Sequence, residues 1–126
     1  MTDLPRPIKR MLREQAARAH EEELRRALVP LAGAFDRWRA GELDSFALSD
    51  LIHEFHDGEA REIWGRYDGA VAEFSVAHAI HTGILKRDTV PPPLLNALAR
   101  HLAFYELQDD RPADREIGSP IPTGES

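Results

Sequence analysis

The chain has 126 residues, a formal net charge of −6 and no cysteine. This length suits one domain with a single modest core. The absence of cysteine excludes disulfides, thiolate metal sites and a cysteine nucleophile. The overall acidity argues against nucleic acid as the main partner. Residues 1–20 carry a net charge of +3 and residues 106–126 carry −4, so the two ends can attract each other within or between chains.

No segment of the sequence indicates export or membrane insertion. Residues 1–10 lack an apolar run that would form the core of a signal peptide. No uninterrupted apolar stretch approaches the ~20 residues that a membrane span needs. We therefore expect a cytoplasmic protein without membrane contact.

Residues 8–40 predict a long first helix in two pieces. The first piece has a narrow apolar stripe that includes Ile8, Met11 and Leu12. The second piece has apolar residues at 4-3-4-3 spacing, which favours packing against another helix, namely Leu24, Leu28, Leu31, Phe35 and Trp38. Pro30 lacks a backbone donor, so we expect a kink or break just before it.

Two shorter helices follow a stop at Gly41. Residues 45–57 predict the first of them, with Asp44 or Ser45 as its N-cap. The sequence Asp57-Gly58 is typical of a break between helices, and residues 59–67 predict the next one.

The last two helices are predicted over residues 70–82 and 93–107. The first of these is apolar nearly all round, which is typical of a helix at the centre of a bundle. Gly83 is its expected stop. Three consecutive prolines, Pro91 to Pro93, suit the first turn of the final helix.

Together these elements predict an all-α protein, a compact bundle of about five helices with no strands. Residues 1–107 form its single helical domain. Residues 108–126 are polar, acidic and rich in proline and glycine. They cannot bury enough apolar area to offset the entropy of ordering, so we expect a flexible tail.

The most distinctive motif is a pair of His-x-x-His sequences, His53 with His56 and His78 with His81. On a helix this spacing places both imidazoles of a pair on one face. At ~100° per residue, the first pair points away from the apolar stripe of its own helix and should be exposed. The second pair falls within the apolar arc and should be at least partly buried or face a neighbouring helix.

Imidazole is the commonest protein ligand of transition metals. If the two helices lie side by side, the four histidines can surround one zinc, nickel or copper ion. Each pair can also act alone, or the imidazoles can form a pH-responsive interface. The simplest alternative is that all four make ordinary solvent contacts and hydrogen bonds.

Familiar templates for metal and nucleic-acid sites fit poorly. His53-Glu54-Phe55-His56 is one residue too short for the metalloprotease sequence His-Glu-x-x-His. Residues 36–47 match an EF-hand loop in outline but lack most of the oxygen ligands that calcium requires. The helix after Asp57-Gly58 carries Arg61 and Arg66, but the acidic residues around them oppose DNA binding.

No catalytic motif stands out, which favours a non-catalytic protein without deciding the point. We expect a small protein–protein interaction or regulatory module that self-associates through its first helix. The reason is that Ile8, Met11 and Leu12 would extend beyond a bundle that the other helices can close, and exposed apolar residues need a partner. The competing hypothesis is a transition-metal-binding protein, a sensor or enzyme, that uses the two histidine pairs.

Overall fold

The computed structural model describes residues 4–68 and 72–109. These residues form six α-helices and no strand, which confirms the all-α prediction. The helices are α1 (Arg6–Arg39), α2 (Ser45–Phe55), α3 (Arg61–Arg66), α4 (Ala72–His81), α5 (Pro92–Ala97) and α6 (Ala99–Asp109). In this part of the chain, no helix has both the length and the apolar character needed to cross a membrane.

Helix α1 is a single element of 34 residues that passes through Pro30 without a break. The break that was one of the two predicted outcomes at Pro30 is therefore absent, and the other, a kink within a continuous helix, stays a prediction. Proline removes one hydrogen bond to the carbonyl four residues earlier, that of Arg26. Both residues are exposed, so water can hydrate this carbonyl in place of the missing donor.

The turn after α1 forms as the sequence predicts. Gly41 has a φ of 80°, a left-handed conformation that suits glycine and ends the helix. Asp44 then caps α2, because its Oδ1 accepts a hydrogen bond of 2.8 Å from the backbone N–H of Ala47. These two residues set the direction in which the chain returns along α1.

Asp57-Gly58 does not end a helix, in contrast to the prediction. A π-helical turn spans His56–Ala60 and joins α2 directly to α3. Gly58 keeps a helical backbone here, since the positive φ values among the described glycines occur at Gly41 and Gly83. The wider π-helical turn accommodates Gly58 within the helical backbone. It also changes which face of α3 lies against α1.

Helix α4 lies between α1 and α6 at the centre of the bundle, as its apolar character predicts. The largest fully buried side chains are those of Val76, Leu94 and Leu98. Leu12 is buried, and Ile8 and Met11 are half-buried against the same core. The prediction that these three residues of α1 protrude and await a partner was therefore wrong.

The final predicted helix is divided at Leu98 into α5 and α6. Pro92 occupies the first turn of α5, as expected. The predicted flexible tail began at residue 108. Residues 108 and 109 belong to α6, and the rest of that segment lies outside the described residues.

Candidate functional site

The second histidine pair faces α6, as its position in the apolar arc predicts. The ring centroids of His78 and His81 lie 5.1 and 6.0 Å from that of Tyr105. His81 Nε2 lies 2.6 Å from Asp109 Oδ2. Both imidazoles therefore contribute to the packing of α4 against the last turns of α6.

The first histidine pair is exposed, also as predicted. His53 lies on the solvent side of α2. His56 begins the π-helical turn and lines a hollow of about 510 Å³ between α1 and α3. His20 of α1 lines the same hollow, so the second imidazole in this wall comes from a residue outside both motifs.

Within the described residues, no three or more histidine, aspartate or glutamate side chains lie together in a group that could hold a metal ion. The two pairs lie on different elements: His53 is on α2 and His56 begins the turn after it, whereas both members of the second pair contact α6. Metal binding by His53, His56, His78 and His81 stays a prediction, to be tested by elemental analysis of protein purified without an affinity tag.

A second feature is the outer face of α1, which no other helix covers. Leu28 is 41% exposed and Val29 is 65% exposed. They line a shallow hollow together with Leu24, Ala32 and the Glu21–Arg25 ion pair. Isolated apolar side chains are often exposed on protein surfaces. Here several exposed apolar side chains lie next to one another along one helix.

Six residues on this face repeat at 4-3-4-3-4 spacing, and we call them the outer seam: Glu21, Arg25, Leu28, Ala32, Phe35 and Arg39. The apolar members lie at its middle and the charged members at its ends. Phe35 is half-buried against the edge of Trp38, with ring centroids 6.4 Å apart, and the other five members are exposed. Such spacing is typical of a helix that packs along another helix.

The charged residues of the outer seam are held by short contacts on α1 itself. Glu21 Oε2 accepts from Arg25 Nη2 at 2.8 Å, and Asp36 Oδ1 accepts from Arg39 Nη1 at 2.9 Å. All four side chains remain more than 60% exposed. Each pair therefore contributes little stability to the monomer and leaves charge available to a partner.

Glu23 connects α1 to the end of α3 through hydrogen bonds. Its carboxylate accepts hydrogen bonds from both Arg66 and the Tyr67 hydroxyl, and only 16% of its side chain is exposed. Burial and the bond to Glu23 raise the pKa of Tyr67 above its ordinary value. The Tyr67 ring also stacks on His20 with centroids 5.9 Å apart, so this cluster fixes the position of that imidazole.

The sequence pattern identified Leu28 and Phe35, two members of the outer seam, but grouped them with Leu24, Leu31 and Trp38 and missed the other four members. The missing signal was the charge order, because Glu21–Arg25 and Asp36–Arg39 flank the apolar centre. Arg61, Trp64 and His20 were also missed as a group, because only the packing of α3 against α1 brings them together.

Comparisons with protein-family models, with curated proteins and with solved structures find no match for this chain.

Proposed function

We propose that the protein is a small interaction module that self-associates as an antiparallel dimer through the outer seam of α1. The observation that carries this proposal is the self-complementary order of the seam. Its apolar residues lie near the centre of an uncovered face, and charges of opposite sign lie at its two ends.

The pairing follows from the positions of the seam residues about Pro30. An antiparallel copy related by a two-fold axis at this level places Leu28 opposite Ala32, a large side chain against a small one. Arg25 comes opposite Phe35, which suits a guanidinium on an aromatic face. Glu21 comes opposite Arg39, which makes an ion pair at each end.

This alignment also matches the general geometry of paired helices. In a seam with 4-3 spacing, an antiparallel partner brings each a position opposite a d position of the other helix, and the three pairings above follow that rule. A parallel copy would place Glu21 beside Glu21 and Arg39 beside Arg39. Like charges at both ends would oppose that orientation.

Helix α1 is long enough for such a dimer. Its 34 residues extend over about 50 Å at the rise of an α-helix, and the seam occupies its second half. Helices α2 to α6 have 6 to 11 residues each. The face opposite them is therefore a continuous surface, along which a second copy can lie.

Sedimentation equilibrium of the full chain tests the proposal. We expect a concentration-dependent mass that approaches twice the 14.2 kDa of one chain. Leu28→Glu places a charge at the centre of the seam and should weaken the dimer by about tenfold or more. Because Leu28 is already 41% exposed, the helical circular-dichroism signal should not change.

Phe46→Glu is the matched control. Phe46 lies on α2, is 83% exposed and is not part of the seam. The Phe46→Glu substitution introduces the same charge at an apolar surface position and should leave the dimer unchanged. A wild-type chain that stays monomeric at all concentrations would refute the proposal, as would equal effects of the two substitutions.

A further inference from the structure

Two adjoining hollows on the side of α1 form what we call the basic groove. The first, of about 510 Å³, is lined by His20, Leu24, His56, Ala60, Arg61 and Trp64. The second, of about 470 Å³, is lined by Lys9, Leu12, Arg13, Ala16, Ala17, His20, Tyr67 and Ala72. His20 belongs to both walls, so the hollows follow one another along α1.

The charges in the basic groove are all of one sign. Its ionisable wall residues other than Tyr67 are lysine, arginine or histidine, namely Lys9, Arg13, His20, His56 and Arg61. This is unexpected in a chain whose net charge is −6. Walls of one sign concentrate ligands of the opposite sign and raise the rate at which they associate.

Glu23, Glu59 and Glu62 are not among the wall residues of the basic groove. Glu23 is turned to Arg66 and the Tyr67 hydroxyl, which hold its carboxylate. Glu59 and Glu62 line a different hollow, on the other side of α3, together with Glu23 and Arg66. Among the described residues, the walls of the basic groove therefore contain basic side chains and no aspartate or glutamate, whereas the hollow across α3 contains side chains of both signs.

The floor of the basic groove is apolar and includes an exposed tryptophan. Trp64 is 58% exposed, although the other large apolar residue of its helix, Ile63, is buried in the fold. Tryptophan and arginine are the residues that most often contribute the binding energy of protein interfaces. Trp64 and Arg61 lie on the same short helix, one turn apart.

The π-helical turn shapes this wall. His56 and Ala60, its first and last residues, both line the first hollow. Such turns occur frequently at functional sites, where they redirect side chains that a regular helix would place differently. Here the turn brings an imidazole and the start of α3 to the edge of the hollow.

We infer that the basic groove binds a short acidic segment of a partner protein, with a large apolar side chain of that segment placed against Trp64. Carboxylates of the segment would lie against Arg61 and Arg13. A nucleic acid duplex fits less well, because its phosphates would also approach Glu59 and Glu62 across α3. This inference does not depend on the proposed dimer.

The test uses a synthetic acidic peptide in which aspartate and glutamate surround one phenylalanine. Trp38→Phe leaves Trp64 as the single tryptophan of the two in the chain, so its fluorescence reports the groove. We expect a saturable change in Trp64 emission that weakens with added salt. Arg61→Glu should weaken binding by about tenfold.

Arg37→Glu is the matched control, because Arg37 is exposed on α1 and outside the basic groove. It changes the net charge equally and should leave peptide binding unchanged. Leu28→Glu should also bind the peptide normally, which separates this inference from the proposed dimer.

Four results would overturn the inference. They are the absence of saturation, equal effects of Arg61→Glu and Arg37→Glu, equal binding of a peptide with alanine in place of phenylalanine, and equal or tighter binding of a single-stranded oligonucleotide. A fifth result would also overturn it: a chain truncated after residue 109 that binds the peptide much more tightly would show that residues 110–126 occupy the groove instead of a partner.

Discussion

Charge exchange between the ends of the outer seam tests both the existence and the direction of the proposed dimer. Glu21→Arg makes both ends of the seam positive, and Arg39→Glu makes both ends negative. In an antiparallel homodimer of either variant, like charges face each other at both ends of the seam. A one-to-one mixture of the two variants restores an attractive contact at both places.

The size of the effect follows from the exposure of these side chains, which is 63% for Glu21 and 66% for Arg39. An exposed ion pair contributes about 0.2–1 kcal/mol, and the two-fold axis repeats the contact. Reversing one charge per chain should therefore cost the dimer roughly 1–2 kcal/mol, or about 5- to 30-fold in its dissociation constant.

Sedimentation equilibrium at low ionic strength is the assay, because salt screens exposed charges. We expect weaker dimers from each variant alone and recovery in the mixture. The double variant Glu21→Arg with Arg39→Glu should also recover. If the mixture stays as weak as the separate variants, the antiparallel alignment is wrong. If both variants match the wild type, the ends of the seam are not in contact.

Three further predictions concern the fold. Leu98→Ala should lower the free energy of unfolding by about 2–5 kcal/mol in urea denaturation, because Leu98 is fully buried; a loss below ~1 kcal/mol would contradict its place in the core. Asp44→Ala should cost about 1 kcal/mol through loss of the α2 cap, whereas Asp44→Asn should retain most of it. Since burial and Glu23 raise the pKa of Tyr67 above that of an unfolded tyrosine, 10.0, stability should fall as pH rises above about 10. Absorbance titration of Tyr105→Phe, which leaves Tyr67 as the single tyrosine, should show ionisation at a higher pH in the folded chain than in urea, and equal midpoints would contradict the Glu23 bond.

Much of the fold follows from local sequence signals. Gly41, Gly83 and Asp44 act within one or two turns of their own position, and each does what the sequence predicts. Asp57-Gly58 misled because the same two residues also fit a π-helical turn. The choice between a break and a wider turn depends on how α3 packs against α1, which no local pattern records.

The candidate surfaces were harder to predict than the fold. The spacing of the histidines correctly gave the faces of both pairs but did not give their neighbours, such as Tyr105 and His20. Ile8, Met11 and Leu12 were expected to be exposed because the other helices were expected to close the bundle without them. In the structure α1 packs beside α4 and α5, so its N-terminal half is covered and its outer face is the one that stays uncovered.

The most direct test of the proposed dimer is the distance between identical positions of its two chains. The chain has no native cysteine, so Ala40→Cys, at the exposed end of α1, can carry one spin label per chain for electron–electron double resonance. The antiparallel alignment about Pro30 separates the two labels by twenty residues of helix, or about 30 Å. A distance near 10 Å, the spacing of neighbouring helices, or the absence of any inter-chain distance would contradict it.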